Sequence, residues 1–489
     1  MNKKIIAIDQ GTTSSRAVLF DDNLSVLDIE QREFKQFFPN DGWVEHNPDD
    51  IWQSVFDVTS ALFKRNNLQS CDLGSIGITN QRETTLVWNK ITGVPIYPAI
   101  VWQDRRTTDF CNSIRDFAVE KSISEKTGLL LDPYFSATKL TWILDNVAGA
   151  RRKAEQGKLL FGTVDCFLLW KLTEGRAHKT DATNASRSML FNIHENRWDD
   201  DLLKLFNIPR QMLPEVCDNV HDYGETSLFG GSVGVGGMVG DQQSALIGQC
   251  CFNEGDIKST YGTGCFIILN TGTKVVQSNN RLLSTIAYRI GNKITYGLEG
   301  SIFVAGSAVQ WLRDELNFFQ SAFETEKLVK ESGKDSGVVV VPAFTGLGAP
   351  YWDPDARGAI FGLTRDSGIA EITKATLESV TYQSKDLIEA MKADGAKLRE
   401  LKIDGGMVTN SWFSQELANV LDLKTFRPSV IETTALGAAS LAGINAGIFE
   451  SLESLKDYWQ CERTFDPSFS EDYQEKYSAW KEAVRRTLT

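Results

Sequence analysis

Asp9-Gln10-Gly11-Thr12-Thr13-Ser14-Ser15-Arg16 puts a carboxylate, a glycine and a run of hydroxyl side chains between two apolar segments. The flanking runs, Ile5–Ile8 and Ala17–Phe20, predict buried strands, and Gly11 permits the tight reversal between them. Such a turn aims backbone N–H groups and hydroxyls at an anion, phosphate above all. A carboxylate at the end of the first strand, Asp9, suits Mg²⁺, which takes carboxylate oxygens together with phosphate. The same residues also describe a surface hairpin with a hydroxyl-rich turn, and this stretch alone does not separate the two.

Other segments repeat the pattern of an apolar strand running into polar residues. Leu73–Ile78 leads into Thr79-Asn80-Gln81-Arg82-Glu83-Thr84, the arrangement by which open α/β sheets build sites at strand ends; Arg82 and Glu83 alone would equally be a surface ion pair. Val239-Gly240-Asp241-Gln242 places Asp241 at a helix start, where a carboxylate caps the helix or does chemistry. The glycine-rich residues 230–237 read as a flexible loop before a strand, and the absence of a following Lys-Ser/Thr excludes a Walker A loop. Asp256–Asn270, a strand, a Gly/Thr turn and a strand, echoes residues 3–20 in the second half and suggests a duplicated domain. Asp404-Gly405-Gly406 closes another strand, where glycines let a flat adenine or ribose lie against the backbone. Trp102, Tyr134 and Phe266, read unaided, are core aromatics.

The elements that must position these groups are those of an α/β protein. A chain of 489 residues exceeds one ordinary core, so two domains are expected, 1–249 and 250–489. Asn47-Pro48-Asp49 is a helix start signal ahead of apolar residues at helical spacing over 49–66. Helices are also expected over 302–312, 371–390, 433–446 and, as an amphipathic surface helix, 471–487. With 64 acidic against 51 basic residues the net charge is −13, which argues against nucleic acid or an anionic membrane as the main partner. No apolar run is long enough to insert in a membrane, and the N-terminal run is too short for a signal peptide. The 8 cysteines and 4 histidines show no zinc or redox spacing, so a reduced, cytoplasmic setting is expected.

Taken together these stretches resemble the sugar-kinase family that includes glycerol, xylulose and gluconate kinases, within the actin and heat-shock chaperone ATPase superfamily. Gly42-Trp43-Val44-Glu45-His46, Thr260-Tyr261-Gly262-Thr263-Gly264 and Pro342–Trp352 carry the resemblance alongside the segments above. Asn80-Gln81-Arg82-Glu83-Thr84 and Gly240-Asp241-Gln242-Gln243 are its most specific parts and point to the glycerol-phosphorylating members. The resemblance implies two similar actin-like (ribonuclease H-like) domains, each a mixed sheet flanked by helices, with a cleft between them that closes on the substrates.

It further implies glycerol and MgATP as substrates. Arg82 and Glu83 would clamp the polyol hydroxyls, Trp102 and Phe266 would wall its carbons, and Tyr134 and Gln242 would add hydroxyl contacts. Asp241 would be the general base, with Asp9 and Asp241 near Mg²⁺. Thr12, Thr13, Ser14, Arg16 and Thr263 would cradle phosphates, and Gly306, Gln310, Gly406 and Asn410 would hold the rest of the nucleotide. A homo-oligomer, dimer or tetramer, is expected of such a protein. Some bacterial relatives bind a sugar bisphosphate inhibitor through a basic loop before Gly240; residues 228–237 hold no Lys or Arg here, so weak or no inhibition is expected. The alternative reading is a kinase of the same family acting on another small polyol or ketose. A non-enzymatic ATPase switch would need an appended partner-binding domain, for which no segment stands out.

Overall fold

A computed structural model describes residues 3–332, 336–468, 470 and 472–489. The chain divides into two compact units. Unit 1 holds 1–252, 284–296 and 433–459; unit 2 holds 253–283, 297–432 and 460–489. Each is built on a mixed sheet with helices, the α/β class anticipated from the residues.

In unit 1 the strands run in the order Glu225–Thr226, Val233–Gly240, Leu73–Asn80, Lys4–Gln10, Ser14–Phe20, Val26–Glu33. Lys4–Gln10 pairs antiparallel with Ser14–Phe20 and parallel with Leu73–Asn80, which pairs parallel with Val233–Gly240. The loops after Gln10, Asn80 and Gly240 therefore open at one end of the sheet, because parallel neighbours end together. The helix Pro48–Arg65 begins as expected: Asn47 accepts the N–H of Asp49 at 3.1 Å, and Ile51, Val55, Val58 and Leu62 are buried. The helix Thr433–Asn445 packs against Leu73–Asn80 and Val233–Gly240.

That packing corrects the reading of 230–237 as a loop. Val233–Gly240 is a buried strand, and its glycines are there for closeness. A Cβ on Gly237 would come 2.7 Å from the backbone nitrogen of Ala442, so only glycine lets this helix lie on this strand. The segment 228–237 carries Phe229 onto the hydrophobic core beside Phe56 and Phe63.

In unit 2, Asp256–Tyr261 pairs antiparallel with Cys265–Gly272 and parallel with Glu400–Asp404, which pairs parallel with Thr425–Pro428. This is the pairing scheme of the first unit's hairpin, and the echo in the sequence is an echo in topology. The helix expected from Ile302 starts later. Lys293–Ile302 is a strand and the helix is Gly306–Asp314, because the sheet claims the backbone through Ile302. The C-terminal helix Asp472–Arg485 is less superficial than expected: Tyr477 and Trp480 donate to the buried Asp386 at 2.7 and 2.8 Å. Among the described residues no helix is long and apolar enough to cross a membrane, and the eight cysteines are free thiols.

One buried group in unit 1 makes a pH signature. His178 sits 2.8 Å from the Phe161 carbonyl oxygen and edge-on to Trp88, and burial lowers its imidazole to about 4. Above pH ~6.5 neither folded nor unfolded chain protonates it. Between there and about 4 the unfolded chain takes up a proton that the folded chain refuses, so this residue lowers stability as pH falls. The stability of His178→Gln relative to wild type is expected to rise by about 1.4 kcal/mol per pH unit across that window. Urea unfolding of both proteins at pH 7 and 5 measures it, and a pH-independent difference would contradict it.

Candidate functional site

In unit 1 the loop after Asn80 is shaped by a three-residue turn. The Thr84 N–H donates to the Arg82 carbonyl at 2.7 Å, with Glu83 at the corner at φ +60°. A non-glycine residue there is strained, and such strain persists only where the surroundings impose it. They do so here: Ser136 and Thr85 hydroxyls both donate to the Glu83 carbonyl at 3.0 Å. Arg82 is buried, with Nη1 donating to Gln243 Oε1 and Nε facing Asp241 Oδ1, each at 3.1 Å.

Asp241 is the first residue of the helix Asp241–Gly248, and Gly240 occupies the cap position. Its Oδ1 accepts the Gln242 N–H at 2.7 Å, while the side chain stays 28% exposed. Its Oδ1 thus serves both the helix start and Arg82. Below it, Thr183 Oγ1 accepts the Gly240 N–H at 2.9 Å, and Asn184 bonds both Asn80, at 3.0 Å, and the buried Asp181, at 2.6 Å. This layer fixes the two strand ends that carry Arg82 and Asp241.

The aromatic side is equally held. Trp102 and Tyr134 meet edge to face at 5.7 Å, and Trp102 Nε1 donates to Thr12 Oγ1 at 2.9 Å. The turn bearing Tyr134 is tied by Lys139, whose Nζ donates to the carbonyls of Pro133, Tyr134 and Phe135 at 2.6, 2.5 and 3.2 Å. Burial lowers that lysine to about 7. In the first hairpin, Gly11 N–H donates to the Ser14 carbonyl at 2.9 Å, leaving Thr13 exposed and Thr12 and Ser14 half-buried. Arg16 donates to Gln31 Oε1, and Gln31 in turn to Ser14 Oγ at 3.1 Å. Asp9 lies opposite Arg16 in the ladder and is half-buried.

In unit 2 the Thr263 carbonyl accepts the N–H groups of Ala305 and Ser307, at 2.9 and 3.1 Å, so the second hairpin turn is clamped to the start of the helix Gly306–Asp314. Gln310 is exposed on that helix. Gly405 takes φ +94°, and a Cβ there would strike the Tyr261 carbonyl oxygen at 2.5 Å. A Cβ on Gly406 would meet open space. Asn410 caps the helix Ser411–Leu421 by accepting the Phe413 N–H at 3.0 Å. Phe266 is half-buried in the strand Cys265–Gly272.

The model of the N-terminal domain of the FGGY family of carbohydrate kinases matches residues 4–248, and that of its C-terminal domain residues 257–446. The chain belongs to the FGGY family of carbohydrate kinases. It is 56% identical over 489 residues to glycerol kinase 1 of Pseudomonas aeruginosa, covering 99% of both. It is also 56% identical over 486 residues to the glycerol kinase of Alcanivorax borkumensis, covering 99% of this chain and 98% of that one. Among solved structures, Plasmodium falciparum glycerol kinase with ADP matches with a TM-score of 0.93 at 35% identity, over 100% of this chain and 99% of that one. Gluconate kinase from Lactobacillus acidophilus shares the fold, with a TM-score of 0.89 at 19% identity over 99% and 98% of the two chains.

Among the described residues no three His, Cys, Asp or Glu side chains form a metal cage. A few carboxylates beside a phosphate turn are what Mg²⁺ takes when phosphates and water complete its shell.

Two residues escaped the sequence reading. Arg187, fully buried, donates from Nε to Glu83 Oε1 at 2.6 Å and lies over the rings of Tyr134 and Phe135 at 5.7 and 5.5 Å. It sits between Ser186 and Ser188, where no local pattern marks it. Lys139 lies on the helix Ser136–Asn146. Its signal is weak: a lysine on an otherwise apolar helical face.

Proposed function

We propose that this kinase transfers the γ-phosphoryl group of MgATP to glycerol, giving glycerol 3-phosphate for glycerol catabolism. The observation that carries the reading is the buried Arg82–Glu83 corner with Asp241 at 3.1 Å from Arg82 Nε, beside the Trp102–Tyr134 pair. A guanidinium can only donate and a carboxylate can only accept, so together they fit the two sides of adjacent hydroxyls. Aromatic edges suit the short carbon chain between them. Gln242 adds an amide to the same hydroxyl set, and Phe266 adds a further apolar wall.

Asp241 takes the proton of the attacking hydroxyl as the phosphoryl group moves in line. Positioning and charge neutralisation supply most of the acceleration in such transfers. Mg²⁺, when bound, neutralises phosphate oxygens, and Asp9 and Asp241 are the carboxylates that would hold it. Thr12, Thr13, Ser14, Arg16 and Thr263 receive the phosphates. Gly306, Gln310, Gly406 and Asn410 receive the nucleoside, with Asn410 also serving its helix. The enzyme works as a cytoplasmic homo-oligomer; the sequence half 1–249 carries the polyol residues and the first phosphate turn, and the half 250–489 carries the second turn and the adenosine residues. Incubation with γ-labelled ATP and glycerol tests the reading: label in glycerol 3-phosphate supports it. Label released only as inorganic phosphate, or not at all, overturns it.

A further inference from the structure

The acceptor wall and the phosphate turn of unit 1 are joined by hydrogen bonds along two routes. In one, Trp102 Nε1 donates to Thr12 Oγ1 at 2.9 Å. In the other, the Trp102 backbone N–H donates to Thr84 Oγ1 at 3.3 Å, and the Thr84 hydroxyl donates to Gln81 Oε1 at 2.8 Å. The Gln81 amide then donates to Gln10 Oε1 at 3.0 Å and to the Gly11 carbonyl at 3.2 Å, at the base of the phosphate turn. The Gln81 N–H donates to the Gln10 carbonyl at 2.7 Å. Gln81 and Gln10 are buried, so this second route is shielded from water.

An indole N–H has no acceptor capacity. Thr12 must therefore be the acceptor in its bond to Trp102, and its own hydroxyl hydrogen is turned elsewhere. A hydroxyl so oriented, half-buried beside the exposed Thr13, is a ready donor to an anionic oxygen.

We infer that Trp102 is a positioning residue for the phosphate turn: its indole N–H sets the Thr12 hydroxyl as a donor to a nucleotide phosphate. This rests on the proposed kinase reading for the identity of the ligand and adds to it a second task for the acceptor wall. A ring held by a polyol on one side holds the phosphate donor on the other, so occupancy of the acceptor site tightens nucleotide binding. The competing explanation is that the bond serves only to hold the ring for the polyol.

MgADP binding by calorimetry separates the two, with Trp102→Phe, which keeps a ring without the donor, with Thr12→Val, which loses the hydroxyl, and with the double variant. Each single change is expected to weaken MgADP about fivefold, the equivalent of one hydrogen bond of about 1 kcal/mol. The double variant is expected to bind no more weakly than either, because both remove the same interaction. Thr12→Ser, which keeps the hydroxyl, is expected to bind within about twofold of wild type, and thermal melting controls for misfolding. Glycerol is expected to tighten MgADP binding in wild type and to lose that effect in Trp102→Phe. Trp102→Phe binding MgADP like wild type, or fold-losses that multiply in the double variant, would overturn the inference. A chain that phosphorylates no glycerol yet gives the same cycle in MgADP binding would sink the substrate reading and leave this one standing.

Discussion

Asp241→Asn is expected to lower kcat for glycerol phosphorylation by about 10³-fold, within the range that a positioned general base supplies. The substitution keeps an oxygen to accept the Gln242 N–H and the Arg82 Nε–H, so the helix start and the buried guanidinium remain bonded. What disappears is the ability to take a proton from a hydroxyl. Because the side chain is partly exposed, folding stability is expected to change by less than about 1 kcal/mol. Steady-state kinetics and a melting curve check both statements. A variant within tenfold of wild-type kcat would remove Asp241 from the chemistry.

Arg187→Met carries the second large effect, and it falls on stability as well as binding. Arg187 and Glu83 form an ion pair with side chains 0% and 2% exposed. Removing one partner of a pair so buried costs about 3–5 kcal/mol. Glu83 also sits at a strained corner, so its surroundings hold little slack. Urea unfolding should therefore show a loss of that size, and on the proposed reading the KM for glycerol should rise with it, since Glu83 would lose the guanidinium that orients its carboxylate. Adding Glu83→Gln to Arg187→Met should restore part of the stability without restoring activity. A loss below about 1 kcal/mol would mean that the pair is dispensable.

How much of this was legible depends on the range of the interactions. The first hairpin, the Asn47-capped helix and the helix start at Asp241 were readable because each is fixed by neighbours within a few residues. The two-fold echo was readable because Asp256–Tyr261 and Lys4–Gln10 carry the same strand–turn–strand code. Gly237 misled because its meaning lies in the helix from Thr433, remote in sequence, against which it must pack. Ile302 misled because sheet pairing overrode an apolar spacing that also suits a helix. Arg187 was invisible for the same kind of reason: its partner, Glu83, is over a hundred residues earlier, and a lone arginine between serines signals nothing. Residue types suggest a chemistry, but the residues that hold a site in place mostly leave no local signal.

The most direct test of the central claim is a comparison of kcat/KM with MgATP for glycerol, dihydroxyacetone, xylulose, ribulose and gluconate as acceptors. On the proposed acceptor reading, the Arg82–Glu83 corner and the Trp102–Tyr134 pair predict that glycerol exceeds every five- and six-carbon acceptor by at least about 10²-fold, since a longer sugar must leave hydroxyls unpaired. Xylulose, ribulose or gluconate turned over as well as glycerol would keep the fold and the transfer chemistry and contradict the assigned acceptor.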